Sequence, residues 1–120
     1  MTKEQIKTEQ ILEKAIDCIK DKKGENISLI KFPPEEGAVW DYFIICQANN
    51  NIHAQAISDH IQLTLKNDLK TRADHTEGYQ NAKWVLIDYF DIVIHIFLAE
   101  TREFYNLEKL WADAQITKFN

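Results

Sequence analysis

Glycine, proline and cysteine are all scarce in this chain of 120 residues, at three, two and two. The glycines, Gly24, Gly37 and Gly78, precede Glu25, Ala38 and Tyr79. None forms the Gly-Ser turn on which nucleotidyl transfer depends, and none belongs to a repeat that could cradle a phosphate. Cys18 and Cys46 lack a Cys-x-x-Cys spacing and are too few for a disulfide framework, so both read as small buried hydrophobes. No apolar run approaches the ~20 residues that span a bilayer. Met1-Thr2-Lys3-Glu4-Gln5 lacks the basic start and apolar stretch of a secretory signal, so the expectation is a cytoplasmic protein with no membrane contact. Basic residues are outnumbered 14 to 19, giving a net charge of −5. A chain that gripped nucleic acid by its phosphates would carry a basic face. No direct sequence-specific nucleic-acid binding is expected here, and a basic protein is the suitable partner.

The histidines do not assemble a metal site on paper. His53 and His60 share a helix face but stand two turns apart, too far to chelate one ion. No His-x-x-x-His or His-Cys cluster exists, so no metal, cofactor or catalytic set is expected. Asp88 and Asp91 could share an ion only by converging in a cleft, and on a hairpin tip they would sit in water.

The composition that is present, 45% hydrophobic over 120 residues, suits a single folded domain spanning 1–120. Thr2 and Gln5 fit a capping box that opens a helix over residues 2–23. Ile6, Ile11, Leu12, Ala15, Ile16 and Ile19 form its apolar stripe, and Gly24 is the expected left-handed exit. Ile27 to Phe32 reads as a strand, stopped by Pro33-Pro34-Glu35-Glu36-Gly37. Trp40 to Gln47 is apolar on both faces, as a central strand would be. Asn49-Asn50-Asn51 offers caps to a helix carrying Ala54, Ile57, Ile61 and Leu65 and ending near Lys70. Residues 71–82 read as a polar loop and residues 113–120 as a frayed tail. A helix between the second and third strands needs a crossover, which predicts an α/β fold with a mixed sheet of four to five strands flanked by helices.

The stretch Trp84 to Trp111 holds most of the information. Trp84 to Asp88 and Asp91 to Phe97 are apolar, β-branched runs around a short polar break, hence an antiparallel hairpin. A turn at Tyr89-Phe90 sets Asp88 opposite Asp91, Leu86 opposite Val93 and Trp84 opposite His95. Val85, Ile87, Ile92, Ile94, Ile96 and Leu98 then form one aliphatic face. Trp84, Leu86, Asp88, Asp91, Val93, His95 and Phe97 form the other. That mixed face suits a partner surface, or it lies beneath the last helix, covered by Leu107, Leu110 and Trp111. His95 is open to either role, a hydrogen-bonding contact or a half-buried packer.

In order and spacing this stretch resembles the Iojap-like ribosomal silencing factors. Their signature is a W-V-L-x-D-Y-G-D-V-V-V-H-x-F strand pair followed by R-E-x-Y-x-L-E-x-L-W. Asp41-Tyr42-Phe43-Ile44-Ile45, Ala56-Ile57-Ser58-Asp59 and Glu77-Gly78 extend the similarity over most of the chain. Phe90 stands where the family's turn has Gly, and Asn49 to Asn51 replace its Thr-Ser-Ser. The resemblance implies a nucleotidyltransferase-like fold without the active site, and no enzyme. It also implies a translational repressor that binds the large ribosomal subunit through the fourteenth protein of that subunit, at the joining surface. Bound there it would block the small subunit and lower translation under nutrient limitation. Trp84, Leu86, Asp88 and His95 on the mixed face, with Glu100, Arg102 and Tyr105 just after it, are the candidate partner-binding residues. The rival readings are a homodimeric interaction module without ribosome activity and a nucleotidyltransferase-like enzyme.

Overall fold

In the computed structural model, residues 2–33, 40–111 and 113–119 are described. Helix α1 spans Lys3–Asp21. Its capping box forms as the sequence demands: Gln5 N–H donates to Thr2 Oγ1 at 3.1 Å and Thr2 N–H to Gln5 Oε1 at 2.8 Å. Ile11, Leu12, Ala15, Ile16 and Ile19 are buried along one stripe, while Ile6, in the first turns, is exposed. The left-handed exit falls on Lys23, with φ of 61°, and not on Gly24. Glycine is required at 24 for space, since a Cβ there would collide with the Ile19 side chain.

Strand β1 (Glu25–Lys31) is followed by β2 (Tyr42–Ala48), and the expected break at Pro34 to Gly37 lies outside the described residues. Helix α2 (Asn51–Leu69) begins at Asn50, whose side chain accepts from His53 N–H at 2.8 Å. It buries Ala54, Ile57, Ile61 and Leu65, and ends at Lys70 in the left-handed region. Then come β3 (His75–Glu77), β4 (Trp84–Tyr89), β5 (Ile92–Leu98), α3 (Ala99–Tyr105), α4 (Leu107–Leu110) and β6 (Gln115–Phe119). The strands form one sheet in the order β3-β4-β5-β2-β1-β6. Among the described residues only β2 and β5 pair in parallel, so the sheet is mixed.

The sheet has six strands, not four or five. Both additions lie at its edges. The expected loop 71–82 contains β3, which pairs its three residues with the outer side of β4. The expected frayed tail contains β6, which pairs with β1 from Ile27↔Phe119 to Lys31↔Gln115. Without β6, the outward N–H and C=O groups of β1 would have no backbone partners. Ile116 and Phe119 also pack against the cores on opposite faces of the sheet.

Two apolar layers result. One lies between the sheet and α1 and α2, around Ile19, Ile44, Ile57, Ile61, Ile87 and Ile94. The other covers the opposite face and is largely aromatic: Phe32, Phe43 and Phe97 with Ile30, Ile45, Val93 and Leu107, edged by Trp40, Trp84 and Trp111. Because β6 covers Ile30 through Ile116, ending the chain at Asp113 is expected to cost about 1–2 kcal/mol, roughly 4–8 °C or more in Tm. A thermal melt that matches the full chain would make β6 dispensable.

Candidate functional site

The hairpin turns at Phe90-Asp91, one residue later than expected, because Tyr89 extends β4 and buries its ring opposite Ile92. The pairs are therefore Trp84↔Phe97, Leu86↔His95 and Asp88↔Val93. Each partner moves by two residues, so the division of side chains between faces is unchanged. Val85, Ile87, Ile92, Ile94 and Ile96 are all within 1% of full burial against the helices. Asp91 sits in the turn instead of opposite Asp88. Its carboxyl is pushed above the usual range by burial and by the Asp41 and Glu4 carboxylates. Phe90 adopts φ of 66°, a left-handed conformation that costs a bulky residue about 1–2 kcal/mol. The Asp88 carboxylate supports it by accepting from Phe90 N–H at 2.9 Å.

On the mixed face, Trp84 is half-buried and stacks on Phe97 with centroids 4.8 Å apart. Its indole N–H donates to His95 Nδ1 at 3.0 Å. Nδ1 is thus the acceptor and Nε2 carries the ring proton. His95 is 3% exposed, wedged against Phe43 at 4.5 Å, and burial pushes its pKa down to about 3. It is a neutral packing group that holds the Trp84 ring, not a surface contact. Its Nε2 finds no hydrogen-bond partner among the described residues.

Arg102 is also turned inward, with 11% of its side chain exposed. It pairs with Glu108 at 2.9 Å and donates to the Asn26 carbonyl, to Gln47 Oε1 at 3.3 Å and to Ser28 Oγ at 3.3 Å. Ser28 Oγ donates in turn to Glu108 Oε2 at 2.9 Å. The sequence places Arg102 on the surface junction. The structure makes it a clamp between α3, α4 and the β1–β2 end of the sheet.

What remains open is the outer side of α3. Tyr105 lies 4.8 Å from Trp84 and Phe104 lies 5.0 Å from Tyr105, centroid to centroid. With Glu100, Thr101, Lys83, Asn81 and Gly78 they line a shallow groove of about 490 Å³. Gly78, at φ of 77°, lets the β3–β4 connection approach so closely that a Cβ would strike the Trp84 carbonyl. Of the candidates, Trp84, Glu100 and Tyr105 meet in this groove. Leu86 and Asp88 lie half-buried farther along β4, and His95 and Arg102 stand behind as supports. Phe104, 80% exposed, lines the same groove and is not among the sequence candidates. Its signal was adjacency to Tyr105, since neighbouring helix residues diverge by about 100° and cannot both face a core. Helix α3 in fact buries no residue fully.

Among the described residues, no three His, Cys, Asp or Glu side chains converge as metal ligands. Both cysteines are buried and unpaired, and burial pushes the Cys46 thiol up to about 12. His53 accepts from Asn49 N–H at Nδ1 and faces the Lys22 carbonyl at Nε2, joining α2 to the end of α1. No described helix is long and apolar enough to cross a membrane.

The profile of the RsfS family, described as ribosomal silencing factor during starvation, matches residues 5–120. The chain belongs to that family. It is 37% identical to the ribosomal silencing factor RsfS of Bacillus subtilis, covering 88% of each chain. It is 34% identical to the mouse mitochondrial assembly of ribosomal large subunit protein 1, covering 80% of this chain and 42% of that one. A crystal structure of a Chromobacterium violaceum protein superposes with a TM-score of 0.81 at 27% identity, over 87% of this chain and 85% of that one. Membership of the family fits the shared α/β domain and its mixed sheet.

The buried imidazole makes stability depend on pH. Unfolded, His95 titrates near its ordinary value of about 6.5, while folded it stays neutral down to about 3. The unfolded state therefore binds the extra proton between these values, and stability falls as pH drops through that window. The slope is at most about 1.4 kcal/mol per pH unit. His95→Gln is expected to flatten the fall between about pH 6 and 4 relative to wild type. Parallel urea melts across that range would check it, and identical slopes would place His95 in water.

Proposed function

We propose that this chain is a translational repressor that docks on the large ribosomal subunit through the protein at its joining surface, and there blocks the small subunit. The observation that carries the reading is the open aromatic groove of Trp84, Phe104 and Tyr105, held rigidly from behind by His95 and Arg102. Large aromatic side chains at the centre with charged residues at the rim, here Glu100 and Lys83, are the usual anatomy of a specific protein interface. The family description as a silencing factor during starvation supports repression under nutrient limitation. The name of the mouse relative supports the large subunit as the platform. A net charge of −5 favours a basic ribosomal protein over bare RNA. Docking requires no catalysis and no cofactor, and it places the protein in the cytoplasm with the ribosomes.

The protein is expected to sediment with isolated large subunits and not with small ones, and to lower the intact-ribosome peak when added before the subunits are mixed. Trp84→Ala should weaken binding by about 2 kcal/mol, roughly thirtyfold. Phe104→Ala should weaken it with little change in Tm because that ring is 80% exposed. Tyr105→Ala should weaken it with a small loss of Tm because its half-exposed ring packs on Trp84. Ile94→Ala, by contrast, should cost about 2–5 kcal/mol of stability without a selective effect on binding. Sedimentation with the small subunit alone would overturn the docking, and self-association without ribosome binding would favour an oligomerisation module.

A further inference from the structure

The groove leaves the other end of the hairpin unexplained. Phe90 is 75% exposed and also holds φ of 66°, so it is a large apolar ring in a conformation that favours Gly, Asn or Asp. It gains almost nothing from burial to offset that strain. A strained, exposed aromatic on a two-residue turn is the sort of outlier found at binding sites. Its surroundings are acidic. Asp91 follows it and Asp88 caps its amide. The hollow beside the turn is lined by Glu4, Glu9, Asp41 and Asp91 against one ammonium, Lys31. The backbone of β2 is tied to the turn, Asp41 N–H and Tyr42 N–H both donating to the Asp91 carbonyl, at 2.8 and 3.0 Å. The ring is therefore presented on a fixed base.

We propose that the hairpin tip is a second docking point, in which Phe90 enters an apolar socket rimmed by lysine or arginine on a protein of the large subunit. This rests on the docking reading above and adds an anchor to it. The tip stands six residues along β4 from Trp84, about 20 Å at the usual rise of a strand. It is thus a separate contact from the groove. An acidic collar repels phosphate, so neither RNA nor an anionic lipid surface fits it. It attracts a basic rim, chiefly by speeding encounter.

Stability and binding should move apart, which separates this role from a structural one. Phe90→Gly and Phe90→Asn both suit a positive φ. Each should leave Tm unchanged or raise it by a few degrees, while affinity for purified large subunits falls about tenfold or more. Asp91→Asn should lower the association rate at low salt and reduce its salt dependence. Wild-type affinity in both Phe90 variants overturns the tip as an anchor and leaves groove docking intact, whereas a wild type that ignores large subunits overturns the docking reading itself. Lost binding accompanied by lost Tm in both variants makes Phe90 a folding residue. Phe90-dependent binding to protein-free ribosomal RNA overturns the class of partner.

Discussion

The parallel pairing of β2 with β5 is the constraint from which the other features follow. It runs through seven rungs from Tyr42↔Ile92 to Ala48↔Leu98. Phe43, Ile44, Ile45 and Cys46 face Val93, Ile94, His95 and Ile96, and every one of these side chains is buried. Strands buried on both faces must be covered on both faces, which α1 and α2 do on one side and the aromatic layer on the other. A parallel pair cannot close through a tight turn, so the chain between the two strands must cross over, and α2 makes that crossing. The last rung leaves the chain at Leu98, where α3 starts. The first rung sits beside the hairpin tip, where Asp91 accepts from Asp41 and Tyr42. Both ends of the candidate face are therefore positioned by the same central ladder.

Two polar arrangements refine that position at some energetic cost. The Arg102–Glu108 pair is mostly removed from water, and such a pair adds little net stability over an apolar replacement of the same size. Its consequence is geometric. A planar guanidinium bonded to Glu108, Ser28, Gln47 and the Asn26 carbonyl allows α3 one placement, and with it one placement of Tyr105 against Trp84. The Trp84–His95 bond does the same for the indole. A half-buried Trp with a free N–H could rotate, and the neutral imidazole behind it removes that freedom.

Elements with strong local signals were legible in the sequence. The Thr2/Gln5 box, the Asn50 cap, the apolar stripes of α1 and α2 and the β-branched runs of β2, β4 and β5 each state their own conformation. So did the two faces of the hairpin, because parity survived a one-residue error in the turn. The error itself came from Phe90, whose left-handed backbone is disfavoured for an aromatic and depends on a bond from its amide to Asp88. The strands β3 and β6 were illegible because their only reason to be strands is the neighbouring edge. His-Thr-Glu carries no apolar alternation, and Gln-Ile-Thr-Lys-Phe reads as a polar tail until β1 supplies the partner. His95 and Arg102 look like surface chemistry by residue type. They were placed inside by contacts from Phe43, Ser28 and Gln47, which are distant in sequence and leave no local trace.

Under the proposed docking, the balance of charge would decide how such a face meets a particle made largely of RNA. At −5 the chain is repelled by phosphate within about 10 Å at moderate salt, so close approach to bare RNA would be disfavoured. Only a basic protein patch converts that repulsion to attraction, and the acidic groups nearest the hairpin tip, Asp88, Asp91 and Asp41, are where attraction would act. If the chain acts by blocking, as proposed, it would do so by the volume it occupies, and volume blocks only in a defined orientation. One shallow groove permits rotation about its own axis. A second contact about 20 Å away along a rigid strand removes that rotation without adding much area. In the docking proposed above, the strained, exposed Phe90 is the residue that would supply it.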